Sequence, residues 1–257
     1  MKRLLFTFAM MAAFAAMADN YFTAGENDTV AIAAADRGQI VAIPIRAHFD
    51  GRLDHWQLYF HPAEGTQYIK SDPGEAMTLY YTNANNQMAS YSAQLGYGTH
   101  PGDSILISCS IPWSVRGYWD YNHDGVLESY GTVKWEAGEH DPMFIVYMSI
   151  DNDFSGGMII MSGVLYSSND TRGGTIDGFV NFRRELTVIV TFERGDVNGD
   201  GEVNISDVTA LIDYLLTDTQ PDTDGQFNAA DVDGNGHLSI GDVTDLINIL
   251  LPQCGRR

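Results

Sequence analysis

One stretch restricts this chain more than any other, because the same twelve-residue loop is written in it twice. Asp196-Val197-Asn198-Gly199-Asp200-Gly201-Glu202-Val203-Asn204-Ile205-Ser206-Asp207 returns 35 positions later as Asp231-Val232-Asp233-Gly234-Asn235-Gly236-His237-Leu238-Ser239-Ile240-Gly241-Asp242. A fixed repeat of that length marks a tandem module. Oxygen donors fall at positions one, three, five, seven, nine and twelve, the order in which such a loop wraps a hard cation that takes about six to eight oxygens. In the first loop these are Asp196, Asn198, Asp200, the Glu202 carbonyl, Asn204 (directly or through water) and Asp207. In the second they are Asp231, Asp233, Asn235, the His237 carbonyl, Ser239 and Asp242. Gly201 and Gly236 hold position six, where the chain turns sharply and a Cβ would obstruct it. Val203 and Leu238, at position eight, are placed to pair the loops through a short backbone bridge.

A helix is expected after each loop. Val208, Leu211, Ile212, Leu215 and Leu216 recur at helical spacing, and Val243, Leu246, Ile247, Leu250 and Leu251 repeat the pattern. Two short amphipathic helices facing each other would bury both stripes. The common EF-hand loop closes on Glu, whereas both loops here close on Asp, and no amphipathic helix leads into the first.

With both loops, both glycines, both closing aspartates and both helices in place, the last quarter of the chain resembles a type I dockerin, a duplicated module that plugs into cohesin domains. The resemblance implies two bound calcium ions and a cohesin-type partner in an extracellular, cellulosome-like assembly concerned with polysaccharides. It also implies that the partner is read by loop positions ten and eleven, here Ile205, Ser206, Ile240 and Gly241, and mid-helix by Ile212, Asp213, Ile247 and Asn248. These replace the polar and basic pairs that many dockerins carry. Together with the lack of a long linker near Arg194-Gly195, they leave a second arrangement open, in which the module docks on its own neighbouring domain.

At the other end, Lys2 and Arg3 precede an apolar run from Leu4 to Met17, and Ala16-Met17-Ala18 has the form of a cleavage site. Residues 1–18 therefore read as a signal peptide, and the protein as secreted, extracellular or associated with the cell surface. No later run approaches the roughly 20 apolar residues of a membrane span. The formal net charge of −20 repels nucleic acid and anionic membranes. From Gly195 onward twelve Asp and Glu face only Arg256 and Arg257. Such crowding of carboxylates couples folding of this module to calcium.

Residues 19–194 form the other domain. Thr29 to Ala33, Gln39 to Ala47, His55 to His61, Met77 to Tyr81, Ser104 to Cys109, Met143 to Ile150, Met158 to Tyr166 and Phe179 to Phe192 alternate like strands. Clusters such as Ser71-Asp72-Pro73-Gly74 and Asn83 to Asn86 read as turns between them. The expected fold is mostly β, an antiparallel jelly-roll-like β-sandwich followed by a small α-helical module in residues 195–257. The strand from Trp56 to Phe60, Pro62, a short strand and Asp72-Pro73-Gly74 resemble the opening of cohesin-like and carbohydrate-binding-module-like sandwiches.

Other chemistry is sparser. Asp120, Asn122, Asp124, the Val126 carbonyl and Glu128 repeat the first part of a calcium loop around Gly125, but Gly131 stands where the closing carboxylate belongs. A third calcium and a solvated hairpin turn both fit that segment. Trp113, Tyr118, Trp119 and Tyr121 offer rings on which sugars stack, although aromatic residues at strand spacing also serve as core or sheet surface. Cys109 and Cys254 are either two free thiols or one disulfide. No nucleophile elbow, zinc-binding helix, phosphate loop or dinucleotide fingerprint is present. The sequence thus favours a non-catalytic interaction protein. One alternative is a carbohydrate-binding protein acting through the sandwich. Another is a glycoside hydrolase of unrecognised family, with its carboxylates among Glu128, Glu136, Glu139 and Asp141.

Overall fold

The computed structural model describes residues 20–100, 104–119, 129–167, 178–217, 219–221 and 223–251. The leader expected in residues 1–18, the partial loop at 120–128 and Cys254 lie outside the described residues. The fold class is the expected one, mostly β with helices at the C-terminal end. In chain order the strands are β1 (Tyr21–Ala24), β2 (Thr29–Ala33), β3 (Ile40–Phe49), β4 (His55–His61), β5 (Thr66–Pro73), β6 (Thr78–Thr82), β7 (Met88–Ser92), β8 (Gly96–His100), β9 (Ser104–Ser110), β10 (Arg116–Trp119), β11 (Ser129–Thr132), β12 (Gly138–Ile150), β13 (Gly156–Tyr166) and β14 (Phe179–Thr191). The helices are α1 (Ile205–Thr217), α2 (Asp224–Ala230) and α3 (Ile240–Leu250).

Two sheets form the sandwich, β1-β3-β12-β5 and β2-β14-β13-β4-β9-β8. Strand β4 shows why they face each other: Trp56, Leu58 and Phe60 are fully buried, while His55, Gln57, Tyr59 and His61 alternate outward. From the opposite sheet Ile43, Ile45, Ala47 and Phe49 of β3 and Val146 and Met148 of β12 meet them in one core. Trp56 stacks on Phe144 with ring centroids 5.5 Å apart, and Phe22 packs against Trp56, Phe144 and Phe182. A third sheet, β11-β10-β6-β7, covers part of this core with its inner face, through Leu79, Tyr81 and Tyr91.

Three features depart from expectation. The pairing is not wholly antiparallel, because β2 runs parallel to β14 from Thr29–Thr187 to Ala33–Thr191. Ser71, Asp72 and Pro73 are not a turn but the end of β5, paired with Val146, Ile145 and Phe144. Pro73 is tolerated there because β5 lies at the sheet edge. A register shift leaves Ile69 without a partner, so the alternation that would have marked β5 is broken. The short helix α2 was also unexpected. Thr223 caps it by accepting a hydrogen bond from the Gln226 amide at 3.2 Å.

Cys109 sits on β9 at 4 % exposure, where burial pushes its thiol pKa up to about 12. Since the thiolate is the nucleophile, iodoacetamide at neutral pH is expected to leave Cys109 unmodified until the sandwich is denatured. Mass spectrometry of the Cys109 peptide before and after denaturation checks this.

The helices have a core of their own. Val197, Val208, Leu211, Ala230, Val232, Val243 and Leu246 form a second cluster, separate from that of the sandwich. The helical segment nonetheless touches the sandwich domain, at the turn after β2 and just past β14. Gly199 lies so close to Arg37, Phe192 and Ala34 that a Cβ would stand 2.6 Å from an Arg37 guanidinium nitrogen, and at Gly201 it would stand 2.3 Å from the Ala35 Cβ. Gly225 of α2 meets Phe192, over whose ring Arg37 lies at 5.5 Å. Arg194 donates to the Val232 carbonyl at 3.3 Å.

Candidate functional site

The two loops fold by closely corresponding hydrogen bonds, with one more on the opening carboxylate of the first. Asp196 opens the first with a buried carboxylate that accepts from the amides of Gly199 (2.8 Å), Asp200 (3.0 Å) and Gly201 (3.0 Å). Asp231 accepts from Asn235 (3.0 Å) and Gly236 (2.8 Å) in the second. At the other end Asp207 accepts from Asn198 (3.0 Å) and Asn204 (2.8 Å), and Asp242 from Asp233 (3.1 Å) and Ser239 (2.8 Å). The first and last carboxylates thus fold each loop back on itself. Between them Asn198 accepts from Asp200, Asp200 from Glu202, Asp233 from Asn235 and Asn235 from His237, all at 2.9 Å. Asn204 and Ser239 cap the helices that follow, accepting from Ser206 at 2.7 Å and Gly241 at 3.0 Å.

The glycines at position six have φ of +86° (Gly201) and +81° (Gly236), a left-handed backbone that L side chains rarely adopt. The loops do not form the backbone bridge expected between Val203 and Leu238. Their side chains pack instead against the helical core.

Both loops bury the carboxylates at their two ends. Asp196 and Asp207 are 2 % and 0 % exposed, and Asp231 and Asp242 are 7 % and 0 %. Burial, opposed by the amide hydrogen bonds and reinforced by the Asp207 charge, holds the Asp196 carboxyl above its usual pKa. Carboxylate oxygens of Asp231, Asp233 and Asp242 lie within 4.8 Å of one another. The oxygen-only donor set and its convergence fit a hard divalent cation.

The helical stripes divide into two. Val208, Leu211, Val243 and Leu246 are buried, with Leu215 and Leu250 packed partly against them. Ile212, Leu216, Ile247 and Leu251, expected to be buried too, stand open at 37 %, 78 %, 39 % and 58 % exposure. They continue the line of Ile205 and Ile240, which are 69 % and 72 % exposed. Seven and then four residues separate the members of each line, which on a helix of 3.6 residues per turn keeps them on one face. Ser206, Asp213 and Asn248 beside them are exposed and Gly241 half-buried. Sequence reasoning took Leu216 and Leu251 for core because both faces repeat with the same period. The four isoleucines remain exposed, while Gly199, Gly201, Gly225 and Val232 approach the sandwich.

The glycan candidates are scattered. Trp113 is 79 % exposed on the turn before β10, and Tyr118 faces Tyr130 on the third sheet with ring centroids 5.1 Å apart. Trp119 ends β10, and Tyr121 lies outside the described residues, as do Asp120, Asn122, Asp124, Val126 and Glu128. Trp56 and Trp135 belong to the core. Of the carboxylates considered for hydrolysis, Glu128 lies outside the described residues, and Glu139 is held by His48 Nδ1 at 2.8 Å. No helix among the described residues is long and apolar enough to cross a membrane.

A mostly β chain that ends in two loop-and-helix repeats defines a class of modular protein. Residues 194–251 match the family model described as a dockerin type I domain. No curated protein matches the chain. Among solved structures, a non-cellulosomal cohesin from the archaeon Archaeoglobus fulgidus aligns at 12 % identity and a TM-score of 0.36, over 67 % of this chain and 92 % of that one. A chain from a type I cohesin–dockerin complex of Clostridium thermocellum aligns at 10 % identity and a TM-score of 0.32, over 66 % of this chain and 98 % of that one. Likeness of that degree carries no argument about function.

Proposed function

We propose that this is a secreted, non-catalytic interaction protein whose C-terminal module binds two calcium ions and docks on a cohesin-type partner in an extracellular assembly concerned with polysaccharides. Residues 1–18 are its signal peptide, residues 19–194 its sandwich and residues 195–257 its docking module. The observation that carries this reading is the pairing of two acidic loops, each closed by its first and last aspartate, with two exposed apolar lines, Ile205–Ile212–Leu216 and Ile240–Ile247–Leu251. Bound calcium supplies charge that neutralises the buried carboxylates. The six donors of each loop would hold one ion, and each loop thereby fixes the start of the helix that follows it, at Ile205 and at Ile240. An apolar face fixed in this way gives a partner a dry surface at low ordering cost.

Docking is tested with purified type I cohesin modules in calcium. Ile205→Asp and Ile240→Asp are each expected to weaken association by tenfold or more, on the order of the cost of burying an unpaired charge, while calcium stoichiometry stays the same. Equal binding by wild type and the double variant, measured by calorimetry, would refute the assigned face.

A further inference from the structure

The outer face of the third sheet carries a row of ring-bearing side chains. Cross-strand pairing puts Met88, Thr82, Tyr118 and Tyr130 in one row over four strands, since Met88 pairs with Thr82, Thr82 with Tyr118 and Tyr118 with Tyr130. Neighbouring strands lie about 4.8 Å apart, so the row is about 14 Å long. Tyr80 stands one step further along β6 on the same face, paired with Ser90, and is 73 % exposed. Arg116, paired with Thr132, lies over the Tyr130 ring at 5.4 Å. Beyond Tyr80 the face runs into a cleft of about 250 Å³ that Thr78, Glu136 and His140 help to line.

The underside of the sheet explains why these rings are held in place. Tyr81, Tyr91 and Leu79 face the core, and the glycine pair Gly117–Gly131 admits Tyr81 closely. A Cβ at Gly117 would stand 2.3 Å from the Tyr81 ring and 2.8 Å from the Thr82 carbonyl oxygen. The aromatic row is therefore carried on strands locked from below.

We infer that this face, centred on Tyr80, Tyr118 and Tyr130, binds an extended neutral polysaccharide. Three rings with hydroxyl groups, interleaved with Thr82, Ser90 and Thr132, match a ligand whose ring faces are apolar and whose edges are hydroxyls. A protein interface of this size would need a dry apolar centre, whereas Met88 is the one wholly apolar side chain in the row. Polyanions are disfavoured by the net charge of −20. The site shares only Tyr118 with the aromatic group picked out by sequence, and it does not depend on the dockerin segment.

Affinity electrophoresis of the full chain tests this, because an acidic protein migrates freely through native gels. Gels containing hydroxyethylcellulose, xylan, amylopectin or polygalacturonate are compared with a plain gel, each with calcium and again with a chelator. At least one neutral polysaccharide is expected to retard the wild type, with or without calcium. Tyr80→Ala and Tyr130→Ala should each weaken that association about tenfold, while Tyr80→Phe, which keeps the ring, retains it. The inference is overturned if no gel retards the wild type, if polygalacturonate alone does, if retardation needs calcium, or if Tyr80→Ala binds like the wild type. Cohesin docking would be unaffected by any of these outcomes, so the two readings fail separately.

Discussion

Chelating calcium is expected to unfold the three helices while the strands stay folded. The helical segment has only seven buried apolar residues in its cluster, too few to offset chain entropy unaided. Against them stand buried Asp196, Asp207, Asp231 and Asp242, whose charges repel when no cation lies between them. A ligand at 100 times its dissociation constant stabilises the folded state by about 2.7 kcal/mol per site, so two sites contribute about 5 kcal/mol. That is the whole stability of many small domains. The sandwich has its own core and meets the module, among the described residues, at the first loop, at α2 and through Arg194, so its melting should shift little. Far-UV circular dichroism with and without chelator reads the helices directly. An unchanged helical signal would mean that the loops hold their shape by hydrogen bonds alone.

Trp56→Ala is expected to do the reverse, destabilising the sandwich by about 3–5 kcal/mol and leaving calcium binding to the helical segment intact. Trp56 is fully buried between Phe22 and Phe144, at centroid distances of 5.2 Å and 5.5 Å, and pairs with Leu165 and Cys109 on either side. Removing its ring opens a cavity where the two sheets meet, and strands paired on both sides have little freedom to collapse into it. Denaturant unfolding followed by tryptophan fluorescence, alongside a calcium titration of the same variant, separates the two effects. A loss below about 1 kcal/mol would contradict the packing described.

The two loops were legible as repeated turns because their residue types recur at fixed spacing, and Gly201 and Gly236 take the left-handed φ expected of position six. Strand β4 was legible because it is buried on one face only, and its limits, His55–His61, agree with the alternation. Alternation fails elsewhere for physical reasons. Strand β5 carries a bulge at Ile69, and β7 and β8 are sheet-edge strands rich in Ser and Gly with little to bury. In β10 and β11 the inward positions are Gly117 and Gly131, so the core-facing side reads as a turn. The parallel pairing of β2 with β14 joins segments far apart in sequence, which no local pattern records. Leu216 on α1 and Leu251 just past α3 repeat with the same period as the true core residues. Hydropathy reports that a helix has an apolar side. It does not report whether that side is covered by the chain itself or left open, and here the open side is the one proposed for docking.

The central claim is tested most directly by calorimetric calcium titration of the full chain beside its Asp196→Ala and Asp231→Ala variants. Each variant should bind one ion fewer than the wild type, and the double variant two fewer. Unchanged stoichiometry in both single variants would contradict the assignment of the loops and, with it, the calcium-dependent docking module.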